Sequence, residues 1–223
     1  GMKTVGRRLN TFLGYVTNGL YENYTDVEES PTSTLGNIAI SPGDIKYVDQ
    51  PDANGNYDGR ITSDDRVEIG DPWIPEIVYG FGPSMRWKNW DFSFFFQGQT
   101  NVSLIMENFE PFGERSARGV LAWIADDYWS PDYPNVNAKH PRLTRLTNNH
   151  NMQVSTYWLR DASFLKLKNV ELGYSYKKAR FYISGSNLLT ISPFKHWDPE
   201  VGTGAGMQYP TQRIFNLGIQ MSF

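Results

Sequence analysis

Along the last nine residues, Phe215, Leu217, Ile219, Met221 and Phe223 share one parity, and Asn216, Gly218, Gln220 and Ser222 share the other. Successive side chains of a strand point to opposite faces, so this segment predicts a strand with one apolar face and one small or polar face. The alternation recurs upstream. Between Ile77 and Trp87, one parity holds Ile77, Tyr79, Phe81, Met85 and Trp87, and the other holds Val78, Gly80, Gly82, Ser84 and Arg86. Lys88-Asn89 reads as a tight turn, after which Trp90, Phe92, Phe94 and Phe96 resume the apolar face opposite Asp91, Ser93 and Gln97. A second hairpin is predicted from about residue 157 to 191, turning at Lys177-Lys178. Val170, Leu172, Tyr174 and Tyr176 precede that turn, and Phe181 and Ile183 follow it. The apolar phase slips near Leu165–Lys168, which predicts a bulge there or the point where the strand leaves its apolar surroundings.

The pattern gives strands at about 76–87, 90–100, 157–176, 179–191 and 212–223, separated by long loops at 101–156 and 192–211, with a loop region over 1–75. Within that region Asn18-Gly19 reads as a turn, and the acidic, then Ser/Thr/Pro-rich stretch 22–43 reads as loop. One short helix is expected within Ala117–Trp129. Each hairpin arm has about the ten residues that a tilted strand needs to cross a bilayer. Aromatics crowd the tight-turn ends: Trp87 and Trp90 at one, Tyr174, Tyr176, Phe181 and Tyr182 at the other. Short turns on one side, long loops on the other and an aromatic girdle together match a transmembrane β-barrel, lipid outside and polar lumen inside. The smallest such barrels need about eight strands, so five predict an excerpt from the end of a larger chain. Gly1-Met2 reads as a remnant ahead of a chosen start, consistent with an excerpt. The competing expectation is a soluble β-rich module that binds carbohydrate and carries a calcium-stiffened loop.

Composition narrows the partners. Aromatics make up 15% of the 223 residues, which suits strands, interfaces and sugar-binding surfaces. A formal net charge of −3 leaves no basic patch, so nucleic acid is not an expected partner. Without cysteine there is no disulfide framework, thiolate metal site or cysteine nucleophile. Three histidines, His140, His150 and His196, are scattered in predicted loops without metal spacing or a paired acid. Asp126-Asp127 and Glu28-Glu29 are adjacent pairs that need not converge, and no phosphate loop or nucleophile elbow is present. The chain is therefore not expected to be an enzyme.

One motif carries candidate ion chemistry. Set against a calcium-loop template, Asn54, Asn56 and Asp58 take positions 1, 3 and 5. Gly59 falls at the sharp turn, Arg60 offers its carbonyl at position 7, Thr62 falls at 9 and Asp65 at 12. Oxygen ligands at this spacing suit a hard cation, Ca2+, at extracellular-type affinity. Asn at position 1 and the short Asp65 depart from the template, and a solvated Asn-Gly/Asp-Gly turn explains the same residues.

Ordered motifs across the chain resemble the C-terminal quarter or so of the SusC/RagA family of TonB-linked outer-membrane proteins of Bacteroidetes. They run Val5-Gly6, Leu9–Tyr15, Pro42–Tyr47, the Asn/Asp/Gly loop ending Asp65-Arg66, Tyr79-Gly-Phe81, Phe95–Gly98, Tyr128–Pro131 and Pro141–Thr144. Leu159–Ser163, Leu167–Val170, Leu172-Gly-Tyr174, Ser186–Thr190, Trp197–Glu200 and the closing Phe223 complete the series. Family members commonly read Asp-x-Asn-x-Asp-Gly at the calcium-like loop, so this chain carries two extra residues that leave Asp52 outside the frame. The resemblance implies the end of a plugged barrel importing glycans, peptides or other nutrient oligomers, with energy from TonB and a SusD-like surface lipoprotein as lid. It places Lys88-Asn89 and Lys177-Lys178 at the periplasmic rim, residues 3–75, 101–156 and 192–211 outside, and Phe223 as a barrel-assembly signal. Trp123, Tyr128, Trp129, Tyr133, Trp158, Trp197 and Tyr209, in the expected outer loops, are candidates to stack on sugars or pack on a partner, or to pin their own loops. Outer-membrane lipid is the expected neighbour of the apolar face, and the isolated fragment is expected to self-associate.

Overall fold

The computed structural model describes residues 6, 8–106, 112–113, 116–117, 120–204, 206 and 208–222. The chain forms two compact units, residues 1–70 with 105–159 and residues 71–104 with 160–223. No helix among the described residues is long and apolar enough to cross a membrane, which says nothing of a β-barrel.

The second unit is a six-stranded antiparallel sheet. Its strands are β1 (Ile77–Phe81), β2 (Ser84–Trp87), β3 (Trp90–Thr100), β4 (Phe164–Tyr176), β5 (Ala179–Ile191) and β6 (Ile214–Met221). They lie in the order β6-β5-β4-β3-β1, with β2 pairing the turn-proximal part of β3. The strand expected over 76–87 is thus divided in two. Pro83 has no N–H to give a ladder, and its carbonyl instead accepts from Phe94 at 3.3 Å. The strand expected from 157 begins at Phe164, after a separate short strand at Leu159–Asp161. The Asp161 carboxylate accepts the Ser163 N–H at 2.8 Å and interrupts the run between them.

Register aligns the alternation across the sheet. Met85, Phe92, Leu172, Ile183 and Leu217 form one row, and Trp87, Trp90, Tyr174, Phe181 and Ile219 the next on the same face. Between them, on the opposite face, lie Arg86, Asp91, Gly173, Tyr182 and Gly218. The apolar rows are open: Leu217 is 84% exposed and Trp87 69%. On the polar face Arg180 donates to Asp91 at 3.0 Å, Glu171 at 2.6 Å and Gln220 at 3.2 Å, crossing three strands. Gly218 leaves room for the Tyr182 ring, which occupies the space that a β-carbon would take.

Both hairpins close at the expected turns, with the first lysine of each left-handed: Lys88 at φ 53° and Lys177 at φ 53°. The expected bulge lies between Leu167 and Asn169. Phe96, Leu167 and Leu189 are aligned on one side of it, and Phe95, Asn169 and Ser186 on the other. Lys168 is therefore an extra residue on β4, while Asn187 and Leu188 are extra on β5. Asn187 takes the left-handed φ of 54° that this needs.

The first unit is held by short pairings rather than a broad sheet. Phe12–Gly14 pairs Val67–Ile69 and Thr17–Leu20 pairs Ile45–Tyr47, both antiparallel, while Thr32–Ser33 pairs Arg60–Ile61 in parallel. Asn18-Gly19 is not a turn. It lies inside Thr17–Leu20 where the pairing slips, with Gly19 at φ 73°. Among the described residues two short α-helices are present where at most one was expected: α1 (Tyr24–Glu29) and α2 (Ala122–Ala125). The first lies in the stretch read as loop. Asn23 caps it by accepting the Asp26 N–H at 2.9 Å, a signal outweighed by the Ser/Thr/Pro residues that follow. The second falls within the expected span.

The core of this unit is strongly polar. Asp44 is fully buried and accepts two bonds from Arg142 at 2.7 and 3.0 Å, one each from the Asn148 and Asn151 amides at 2.9 Å, and the Ser41 N–H at 2.9 Å. Side chains thus do what ladders do elsewhere, satisfying buried polar groups while fixing irregular backbone. Tyr15, Tyr21, Tyr47, Ile45 and Ile61 supply the apolar packing around them.

Candidate ion and ligand sites

The Asn/Asp/Gly loop is organised by carboxylates that accept backbone N–H groups. Asp52 closes an exposed turn, its Oδ1 accepting from Asn54 at 2.7 Å and Asn56 at 2.9 Å. Asp58 accepts from Arg60 at 2.8 Å. Asp65 is buried, taking the Gln50 N–H at 2.8 Å and the Thr62 N–H at 2.7 Å, and completes a capping box with Thr62 over the 3-10 turn Ser63–Asp65. The structure thus places the expected calcium positions unequally. Asn54 and Asn56 belong to the exposed Asp52 turn, Arg60 and Asp58 are exposed, and Thr62 and Asp65 form the cap. Among the described residues no three carboxylates or histidines converge as a metal cage.

Asp49 was outside the template and is the residue that stands out. It is 8% exposed, its Oδ2 accepts the Gly59 N–H at 2.8 Å, and its Oδ1 is buried with no donor among the described residues. Burial raises its pKa above the usual carboxylate range; the Gly59 N–H opposes this, and the Asp65 carboxyl and nearby Asp58 reinforce it. Sequence reasoning missed Asp49 because eight residues, 50–57, separate it from the Asp58-Gly59 corner whose Gly59 N–H it accepts. Its signal was the neighbouring strand Ile45–Tyr47, which fixes where the loop starts.

Two of the three histidines are buried. His150 is fully buried, donating from Nε2 to the Ile45 carbonyl at 2.7 Å, which leaves Nδ1 to accept from Ser33 Oγ at 3.1 Å. Burial holds its basicity below the ordinary histidine value, against the pull of the Ile45 carbonyl and Asp44. His140 is buried against the Trp158 ring. His196 is exposed beside Phe194 and Trp197.

The loop aromatics separate into two groups. Trp129 and Trp158 are buried and pin their own loops: Trp129 lies against Gly43, and Trp158 donates to the Asn151 carbonyl at 2.7 Å. That removes these two as contact platforms. Trp123 and Tyr128 are half-buried, while Tyr133 and Tyr209 are exposed. Trp197, half-buried, packs edge-on to Phe194 at 4.6 Å and donates to the Gly202 carbonyl at 3.1 Å. It lines a cleft of about 220 Å³ with Lys166, Asn187, Thr190, Ser192 and Arg213 among its walls. Inside it Lys166 is buried and binds Asp198 at 2.6 and 2.8 Å and also Glu200, which Lys168 holds at 2.6 Å. Phe223 lies outside the described residues.

An antiparallel all-β sheet with one open apolar face, one polar face and aromatics at its tight turns has the form of barrel wall rather than of a closed soluble core. Comparison with known proteins agrees. The chain is 28% identical to TonB-dependent receptor P3 of Formosa agariphila over 98% of its length, and 27% identical to TonB-dependent receptor SusC of Bacteroides thetaiotaomicron over 95%. Among solved structures it superposes on the RagAB peptide importer in the "open-open" state (TM-score 0.66, 23% identity) and the "closed-closed" state (TM-score 0.68, 24% identity), in each case over 96% of the chain. No family model matches. The relatives and structures bear out the resemblance to the SusC/RagA family of TonB-linked outer-membrane proteins. The chain spans 22% of the length of receptor P3, 20% of SusC and 22–23% of the RagAB chains.

Proposed function

We propose that this chain is the C-terminal wall and outer loops of a TonB-dependent outer-membrane importer of glycans or other nutrient oligomers. The observation that carries the reading is the open apolar face running unbroken from Met85 to Leu217 across the paired strands, with charged and small residues on the reverse. In water such a face is unstable as a surface; against lipid it is satisfied without any core. The similarity to TonB-dependent receptors supports transport rather than catalysis, with a SusD-like lipoprotein and TonB engaging the parent protein. On this reading the first unit and residues 192–211 face outward, and Trp123, Tyr128, Trp197 and Tyr209 are the contact candidates for oligomer or lipoprotein. Separated from the rest of its barrel, the chain buries its apolar face by self-association.

The test uses antibody against this chain on fractionated cells of the source organism, with boiled and unboiled samples. A band far larger than 25.5 kDa in the outer membrane, shifting on boiling, is the expected result. A band of this size in a soluble fraction would overturn the reading and leave a free binding module.

A further inference from the structure

We propose that the polar face of the sheet carries, at its long-loop end, a two-cleft groove for an acidic oligosaccharide, one bearing carboxylates as uronic acids do. The proposal rests on the transport reading for its setting, with that face turned to the lumen, and not for its test.

Register places the groove. Asp91, Ser93, Gln97 and Gln99 share one parity of β3 against Phe92, Phe94 and Phe96, and Gln97 aligns with Lys166, which aligns with Thr190. These side chains therefore stand on the face away from the open apolar rows. Pro199, which heads the 3-10 turn Pro199–Val201, lines two clefts on that face. One is the cleft of Trp197, Lys166 and Thr190; the other, of about 310 Å³, has Trp73, Gln99 and Ser103 among its walls. The turn between them is held by Lys166 on Asp198 and Glu200 and by Lys168 on Glu200.

Each cleft thus presents one indole among hydroxyl and amide groups. Trp73 is 54% exposed, and the bond from Trp197 to the Gly202 carbonyl fixes its ring before any ligand arrives. An aromatic surface rimmed by hydrogen-bonding groups suits a sugar ring, apolar on its face and polar at its edge. Charge narrows the choice. Lys166 is neutralised by Asp198 and Glu200, whereas Lys195 and Arg213, both walls of the Trp197 cleft, are exposed and hold no acid among the described residues. Two uncompensated cations, one with the planar fork that matches a carboxylate, favour an anionic unit there. An acidic peptide fits less well. Extended peptides bind by adding to a free strand edge, and β4 beneath the groove is already paired on both sides.

Calorimetry on the full chain in detergent tests this, with a galacturonate tetramer, a neutral glucose tetramer and tetraglutamate as probes. The galacturonate tetramer is expected to bind about tenfold or more tightly than the neutral one, and to weaken as salt rises. Lys195→Gln with Arg213→Gln, both at exposed positions, should abolish that preference. Trp73→Ala should weaken the tetramer about tenfold, because a ligand that spans both indoles loses one of its two attachments. Trp197→Ala also unpacks Phe194, so the exposed Trp73 is the deciding position. Arg86→Gln, at the tight-turn end of the same face, should change nothing. No saturable heat up to about 10 mM, enough to reveal a Kd of ~1 mM, would overturn the proposal. So would equal affinity for the neutral tetramer or for tetraglutamate, or wild-type binding by the charge variant or by Trp73→Ala. None of these results bears on import, which cell fractionation decides, and a soluble location would leave the groove as it stands.

Discussion

Replacing Asp44 by alanine is the sharpest test of how the first unit holds together. The wild-type carboxylate receives five hydrogen bonds from four residues while fully buried. Counting each at the roughly 1.5–3 kcal/mol typical of a charged partner would overshoot, since such terms are not additive. The better measure is what is left behind. Arg142 has a side chain 21% exposed and can recover water. The Asn148 and Asn151 amides are buried, and each loses its bond to the carboxylate. Two lost amide bonds at about 1–2 kcal/mol each, plus a cavity the size of a carboxylate, give a loss of about 4 kcal/mol, within the range for breaking a buried ion pair. That corresponds to about a thousandfold faster exchange through local opening. Hydrogen exchange read by mass spectrometry on peptides covering Ile45–Tyr47 and 148–158 would show it, with β4 as internal reference. If Asp44→Ala changes exchange there by less than about fivefold, side-chain bonding is not what fixes these loops, and the apolar tyrosine cluster must be.

Other expectations follow from single groups. His150 is held neutral, so the unfolded chain takes up its proton first as pH falls below about 6.5; stability of the first unit should therefore fall from pH 7.5 to 5.5, and a His150→Asn variant should lose that slope in urea titrations. For Asp198 and Glu200 burial acts upward but the bonds from Lys166 win, and both stay below the ordinary carboxylate range. Their contribution is present above about pH 4 and lost as pH falls below it, so exchange in residues 195–203 should accelerate between pH 5 and 3. Lys166→Met should cost about 2–3 kcal/mol at pH 7, below the full figure for a buried pair because the carboxylates are 16% and 26% exposed, and flatten that acid dependence. Gly218→Ala drives a methyl into the Tyr182 ring and should cost about 1–3 kcal/mol in detergent melting, most of it recovered by adding Tyr182→Ala; an unshifted melt would mean that the ring simply swings away.

The second unit was legible because alternation is a local signal. A strand with one apolar face announces itself every second residue, and both turns and the bulge followed from where that rhythm paused. The break at Pro83 was also written in the chain, as a residue that cannot donate, but parity alone ran through it. The first unit was not legible, because its order comes from contacts such as Asp44 to Arg142 and Tyr47 to the His150 carbonyl at 2.6 Å, about a hundred residues apart in sequence. No local period marks a residue as the partner of one so distant. Two of the aromatic residues show a related effect. Trp129 and Trp158 have the composition of a binding surface, and only the glycine beneath one and the carbonyl opposite the other turn them inward.

The unequal insertion at the bulge fixes more than a kink. Between the same two aligned rows, β3 takes one step, β4 two and β5 three, each step adding about 3.3 Å of path. The extra residues leave the ladder locally, bending β4 and β5 and raising their twist, and pairing resumes beyond them with Lys166 opposite both Gln97 and Thr190. Lys166 and Lys168, one paired and one the extra residue of the bulge, both bind Glu200. The bulge is thus tied to the loop at 192–201, whose anchor depends on a count of residues in the strand below.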